Sequence, residues 1–474
     1  MVYKTALNKK DIFWSYCSKG LSIFSGVITL PLILSMLTEG EIALNYIFIS
    51  LMQFVVLFDF GFSPQFARNF AFVFGGAKTL TSKGIPEAVG EDIDYPLLYQ
   101  LIMAAKRFYS YMSIALFFVL VVFGSIYIYI FTDGFSQIDN SLTLWLCFSV
   151  SIVVDFFYKF FTPLLQGQGK IKEVSMIDVV TQIIKILSLA LLLFLNFGLW
   201  AVVISNFLRV IVLRILSYKT FYTKEIISKF KECTQSVLLN VKGTLLTLWY
   251  NAKRSLVVSI TNFTSMQLGL FFSGLFLDKT AVSGYGLLTQ LVGIISTISV
   301  AVGMSNVPIY SSLRANNATN QIHKNFYFSL GVFYSIYIIG ALFLLYAIPP
   351  LLSWIHSNAA LPSLVIVIIV LIYKFLEGQH VLCSSYLTTQ NVIVDFESST
   401  ILGIANFLLL WAVLAFTKME LLGVVIVPAI TALAYPNWKW PYEICKEFNI
   451  SYFSLLHKSF FSLKDFFLSV IEKG

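Results

Sequence analysis

The stretch 174–196, VSMIDVVTQIIKILSLALLLFLN, decides the fold. At 1.5 Å per residue a helix of this length crosses the roughly 30 Å hydrocarbon core of a bilayer. It carries only two charges, Asp178 and Lys185, and is apolar on every face, the pattern of a helix solvated by lipid rather than water. The rest of the chain has the same character. Of its 474 residues 58% are hydrophobic and 12% charged, about half the roughly 25% charge of soluble proteins. Mean hydropathy is +0.82. So little polar surface cannot enclose so much apolar surface in water, whereas lipid removes that requirement.

The same measure places apolar spans at 12–37, 42–76, 107–131, 141–166, 174–196, 199–217, 254–277, 281–311, 325–355, 361–389, 397–417 and 419–436. The expected fold is an all-α polytopic membrane protein of about twelve transmembrane helices. The second span is too long for one straight crossing, and Asp59, Gly61 and Pro64 predict a bend within it. The first span, with no small-residue cleavage site after it, reads as a retained helix rather than a signal peptide.

Loop charge sets the orientation. One set of short loops holds Lys279 and Lys418 against Glu39, Glu41, Asp133, Asp139, Asp278 and Glu420. The opposite set, with both termini, holds most of the Lys and Arg. By the positive-inside rule that second side, and so both termini, is cytoplasmic. Two segments on it, 218–250 and 451–472, space apolar residues helically beside lysines and are expected to lie flat at the membrane surface. The formal net charge of +8 is thereby topological. The basic residues are scattered between apolar runs, which does not suit a nucleic-acid partner.

Two halves are discernible. Leu37-Thr38-Glu39 leads to Tyr46, and Leu277-Asp278-Lys279 leads to Tyr285; Leu165-Gln166-Gly167-Gln168-Gly169 has a counterpart in Leu387-Thr388-Thr389-Gln390-Asn391. The expected organisation is a six-helix bundle at 1–217, a cytoplasmic linker with an amphipathic helix at 218–253, a second six-helix bundle at 254–436, and an amphipathic tail at 437–474. Even helix counts make the halves parallel repeats with a central cavity between them.

Charges inside a membrane are costly and are functional candidates by default. Within or close to the spans stand Lys19, Arg68, Lys159, Lys185, Arg209, Arg214, Lys253, Arg254 and Lys374, against only Asp59, Asp155, Asp178 and Glu377. Arg214, Lys253 and Arg254 lie near inner ends, where long side chains snorkel to lipid phosphates. Asp155 with Lys159, and Lys374 with Glu377, are spaced to pair on one helix face. Lys185 and Arg209 sit near mid-membrane with no acid one turn away. A cavity lined by Lys159, Lys185, Arg209 and Lys374, with Lys19 and Arg68 nearer its inner mouth, favours a phosphate- or carboxylate-bearing substrate. Asp59, Asp155, Asp178 and Glu377 are candidates for pairing with these cations or carrying a coupling ion.

Other chemistry is missing from the sequence. There is no Walker A, GxSxG or HExxH motif, and the five cysteines show no CxxC spacing, so no ATPase, hydrolase, metal or disulfide reading is supported. No enzyme activity and no cofactor is expected.

The segment Leu57-Phe58-Asp59-Phe60-Gly61-Phe62-Ser63-Pro64-Gln65-Phe66-Ala67-Arg68, followed by Gly75-Gly76-Ala77, resembles the end of the second helix in O-antigen and polysaccharide flippases of the multidrug/oligosaccharidyl-lipid/polysaccharide exporter superfamily. Leu165-Gln166-Gly167-Gln168-Gly169-Lys170 and Leu37-Thr38-Glu39-Gly40-Glu41 are similar to the same family's patterns. The resemblance implies flipping of a polyprenyl-diphosphate-linked oligosaccharide from the inner to the outer leaflet of a bacterial cytoplasmic membrane. It also implies alternating access by two six-helix bundles around a cationic cavity, coupled to an H+ or Na+ gradient. The implied partners are the lipid-linked oligosaccharide and membrane lipids, with a polysaccharide polymerase and glycosyltransferases as further candidates. Lipid II flippases have fourteen helices, so a count of twelve favours the O-antigen branch. The alternative is an ion-coupled multidrug antiporter of the same architecture, whose cavity should be dominated by acids.

Overall fold

The computed structural model describes residues 9–82, 92–234, 240–266, 268–315, 319–389 and 396–471. Every regular element among them is a helix. The chain divides into two compact units, Met1–Phe263 and Thr264–Gly474.

The first unit contains α1 (Lys9–Met36), α2 (Glu39–Gln53), α3 (Val55–Phe58), α4 (Phe62–Phe74) and α5 (Tyr95–Val119). A π-helical turn (Leu120–Gly124) joins α5 to α6 (Ser125–Phe131). There follow α7 (Ser141–Phe157), α8 (Phe161–Gly167), α9 (Ile171–Phe194), α10 (Trp200–Phe221), α11 (Lys224–Thr234) and α12 (Val241–Met266), whose last turn passes the boundary at Phe263. The second unit holds α13 (Leu268–Phe276), α14 (Lys279–Ser305), α15 (Val307–Ala315), α16 (Thr319–Tyr346), α17 (Ile348–Trp354) and α18 (Leu364–Thr388). It ends with α19 (Phe396–Phe416), α20 (Glu420–Ala434), α21 (Pro436–Phe448) and α22 (Tyr452–Ile471).

The protein is an all-α, multi-pass membrane protein. Among the described residues ten helices are long and apolar enough to cross a bilayer. The expected spans at 254–277 and 397–417 are not among the ten. The first is divided between α12 and α13 at residue 267, which is outside the described residues, and the second has a shorter apolar part, Thr400–Phe416. The third span is longer than expected, Tyr95–Phe131. Asp94 caps its start by accepting the Leu97 N–H at 2.9 Å. Lys106 and Arg107, where the expected span begins, lie inside this helix rather than at its end.

The second span bends where the sequence predicts. Phe60 (φ +50°) and Gly61 (φ +71°) both adopt the left-handed conformation between α3 and α4, and glycine takes that geometry freely where phenylalanine does not. In the third span the carbonyl of Leu120, the first residue of the π-turn, accepts a hydrogen bond from Trp145 Nε1 at 3.1 Å. Trp145 fits there because a Cβ on Gly124 would lie 2.3 Å from its ring.

Each half opens with the same device. Thr38 caps α2 in a reciprocal capping box with Glu41, and Asp278 caps α14 by accepting the Ala281 N–H at 2.8 Å. These caps satisfy backbone donors that a helix start leaves unpaired. Tyr46 and Tyr285 are buried one to two turns further on. Glu41 also accepts the Leu199 N–H at 2.9 Å, tying the turn before α10 to the turn before α2. The motif after the fourth helix is explained in the first unit: a Cβ on Gly167 would lie 2.4 Å from Phe70 Cβ, so glycine permits α8 to meet α4 backbone to backbone. Its counterpart in the second half falls partly at 390–391, outside the described residues.

The tail helix α22, expected at the membrane surface, packs along α16. Leu455 and Ser459 are fully buried, and a Cβ on Gly331 of α16 would lie 2.3 Å from the Ser459 carbonyl oxygen. Phe453 and Phe460 stay exposed.

Candidate functional site

The bend in the second span creates a polar hub inside the first unit. Asp59 lies just ahead of α4, is 6% exposed, and accepts the Ser63 N–H at 3.1 Å. A carboxylate at a helix N-terminus is favoured by unpaired N–H groups and the helix dipole. Tyr109 of α5 donates its hydroxyl to Asp59 Oδ1 at 2.7 Å, and Lys159 Nζ lies 3.2 Å from the same oxygen. Asp59 therefore joins α4, α5 and the break between α7 and α8.

That break changes the pairing read from the sequence. α7 ends at Phe157 and α8 begins at Phe161, so Lys159 is not on the continuous helix that spacing alone suggests, and it reaches Asp59 instead. Asp155 pairs with Arg214 of α10. Arg214 also donates to the carbonyl oxygens of Asp155 at 2.8 Å and Tyr158 at 3.1 Å, satisfying acceptors freed at the end of α7. Expected to snorkel to lipid, Arg214 is instead 9% exposed, because an acid and two orphan carbonyls offer it more than a distant headgroup.

The remaining charges of this unit lie on α9 and α10, which pack against each other. Asp178 is within electrostatic reach of both Arg209 and Arg214. Lys185 faces a like charge, Arg209. Neither Lys185 nor Arg209 forms an ion pair among the described residues. At 1.5 Å per residue Lys185 lies roughly 21 and 14 Å from the two ends of α9, and Arg209 roughly 14 and 18 Å from those of α10, so both are near mid-depth. Lys19 is exposed on α1, and Arg68 is exposed on α4, donating to Gln65 Oε1 at 2.8 Å. Neither touches the Asp59 or Asp155 pairs.

In the second unit Lys374 Nζ and Glu377 Oε2 are 2.7 Å apart on one face of α18, as their spacing allows. The ammonium lies 4.8 Å from the Tyr373 ring centre. Sequence reading did not anticipate a further pair, Arg314 of α15 with Glu447 of α21 at 3.0 Å. Tyr386 donates to the same carboxylate at 3.0 Å, and Arg314 stacks 4.9 Å from the Tyr386 ring centre. Nothing local in the sequence marks Glu447, 133 residues beyond Arg314, as its partner. Tyr109 was equally unmarked among 24 tyrosines.

The embedded charges thus differ in their surroundings. Asp59, Asp155 and Glu377 are each held by a cation, whereas Arg209 lies in the field of Asp178 and Lys185 in that of its fellow cation Arg209.

Compared with solved structures, the chain matches "Inward-facing conformation of a multidrug resistance MATE family transporter of the MOP superfamily" with a TM-score of 0.63 at 12% identity, over 90% of this chain and 95% of that one. It matches "Lipid II flippase MurJ, inward closed conformation" with a TM-score of 0.60 at 15% identity, over 98% of this chain and 93% of that one. The fold is that of MATE and MurJ transporters. No protein-family model and no curated protein matches the sequence. The MATE and MurJ fold bears out the sequence expectation of a polytopic all-α protein with an internal pseudo-repeat.

Proposed function

We propose that the protein is a transporter that flips a polyprenyl-diphosphate-linked oligosaccharide, an O-antigen or capsule repeat unit, from the inner to the outer leaflet of the bacterial cytoplasmic membrane by alternating access. One observation carries the reading: Lys185 and Arg209 lie near mid-depth on the packed helices α9 and α10, within electrostatic reach of each other and in no ion pair among the described residues. Two cations placed in lipid are costly unless a counter-charge arrives, and a diphosphate headgroup supplies one, Arg offering it a bidentate fork. Membership of a fold that includes a lipid II flippase supports the same reading.

In this mechanism the exposed cations Lys19 and Arg68 draw the diphosphate from the inner leaflet. Lys185 and Arg209, with Lys159 contributing positive field, hold it at mid-depth while the isoprenoid remains in the bilayer. Asp178 is the acid best placed to carry a coupling proton, since it is the only one of the four not in an ion pair among the described residues. The multidrug antiporter reading wants acids available to cationic cargo, and the pairing of Asp59, Asp155 and Glu377 weighs against it.

The test is a deletion strain complemented with wild type or with Lys185→Ala/Arg209→Ala at matched protein level. Loss of surface polysaccharide with lipid-linked units accumulating in the inner leaflet is expected for the deletion and the double variant. Normal glycan with new drug sensitivity in the deletion strain overturns the flippase reading in favour of the antiporter.

A further inference from the structure

The bend that positions Asp59 also shapes an outward-facing groove on the first unit, of about 570 Å³, bounded by α4, α5 and the start of α12. Its wall is aromatic. Phe62 packs 4.1 Å from Phe108 and 6.0 Å from Trp249, ring centre to ring centre, and Phe60 lies 6.3 Å from Trp249. Leu245, Leu246 and Met112 extend the apolar lining, and Arg107 and Lys242 bring two cations to it. Both cations are exposed and neither forms an ion pair among the described residues. Gln100 of α5 donates to the Thr244 hydroxyl of α12 at 2.8 Å, fixing the two helices that carry the cations against each other.

Depth identifies what meets those cations. Arg107 is 24 residues before Phe131, the end of the third span, or roughly 36 Å along the helix. The hydrocarbon core is about 30 Å thick and the headgroup zones extend it to about 40–45 Å. With Phe131 at one boundary, Arg107 lies at the depth of the phosphates of the opposite leaflet, while the exposed Tyr111 and Trp249 have the amphipathic rings that favour this interface. We propose that this groove binds the phosphate headgroup of an anionic glycerophospholipid, with Arg107 and Lys242 on the phosphate and an acyl chain along Leu245, Leu246 and Met112. An anionic lipid is favoured over a zwitterionic one because the groove lines up two positive charges and offers no acid for a choline. The inference rests on the groove alone and holds whichever substrate the transporter moves.

Native mass spectrometry of delipidated full-length protein, incubated with phosphatidylglycerol or with phosphatidylcholine of the same acyl chains, tests it. A basic side chain at the surface is worth about a factor of five toward an anionic lipid, so two predict a preference for phosphatidylglycerol of about twenty-five-fold. Arg107→Ala/Lys242→Ala should reduce retention to the phosphatidylcholine level, and Arg107→Lys/Lys242→Arg should restore it, with melting curves confirming that all variants are folded. Equal retention of the two lipids by the wild type, or an unchanged preference in the folded double-alanine variant, overturns the proposal. So does displacement of phosphatidylglycerol by equimolar polyprenyl diphosphate, which assigns the groove to an isoprenoid ligand.

Discussion

Replacing Gly167 by alanine tests whether the join between α8 and α4 is set by backbone contact. The added Cβ would stand 2.4 Å from Phe70 Cβ, 2.9 Å from the Ala71 nitrogen and 3.0 Å from the Ala67 carbonyl oxygen. Ordinary contact begins near 3.4 Å, so α8 must retreat by about 1 Å from a neighbour that presents backbone rather than a flexible side-chain tip. Overpacking of this kind costs about 1–3 kcal/mol. Gly167 is not left-handed, so strain adds nothing and space alone decides. In a unit of this size 1 kcal/mol corresponds to about 2–4 °C in Tm, so Gly167→Ala should melt roughly 2–12 °C lower in detergent by intrinsic fluorescence or light scattering. Gly20, in the middle of α1 with nothing within 4 Å of its Cβ position, is the control. There alanine should stabilise by up to about 1 kcal/mol through helix propensity. A Gly167→Ala protein that melts at or above the Gly20→Ala protein would refute the close-approach account of the motif.

Further outcomes follow from the ion pairs and the π-turn. Asp59→Asn keeps one acceptor oxygen where Ser63 and Tyr109 use two, and removes the charge facing Lys159; it should lower stability by about 1–3 kcal/mol in thermal melts. Arg214→Met strands Asp155 and two carbonyls and should destabilise by about 1–3 kcal/mol, less than for a fully buried pair because Asp155 is 39% exposed. Adding Asp155→Leu should recover part of that loss in the same assay. Lys185→Arg/Arg209→Lys should support surface glycan close to wild type, and Lys185→Glu/Arg209→Glu should support none at equal membrane abundance. Trp145→Phe removes the hydrogen bond from the indole N–H to the Leu120 carbonyl and should cost about 0.5–1.5 kcal/mol, read as a lower melting temperature.

The polytopic architecture was legible because hydropathy and length act locally. The bend at Asp59–Gly61 was legible for the same reason, since a glycine beside proline and a buried acid punctuates a helix wherever it occurs. The caps at Thr38 and Asp278 could also be read as residue types at helix starts. Pairing was harder. Asp155 and Lys159 have ideal helical spacing, but the helix breaks at residues 158–160, between α7 and α8, and so Lys159 reaches an acid 100 residues earlier. Arg214 lies 59 residues from Asp155, and only the packing of α10 on α7 brings them together. Positions of isolated charges along a span are written in the sequence; partners across spans depend on the rotation of each helix about its axis, which a nearly uniform apolar helix does not encode.

The third span has a mechanical consequence. From Tyr95 to Phe131 it runs 37 residues, roughly 55 Å of rod for a slab whose oily interior is about 30 Å deep. The excess at the Tyr95 end stands in the aqueous phase as a handle. Its outermost turns already have a load on them, for Tyr95 and Tyr99 pack on Phe230 of α11. A soluble partner or antibody fragment that grips this end takes hold of a rod continuous, through its π-turn, with the opposite face of the membrane. A small tilt imposed there is delivered across the bilayer without any substrate having to carry it.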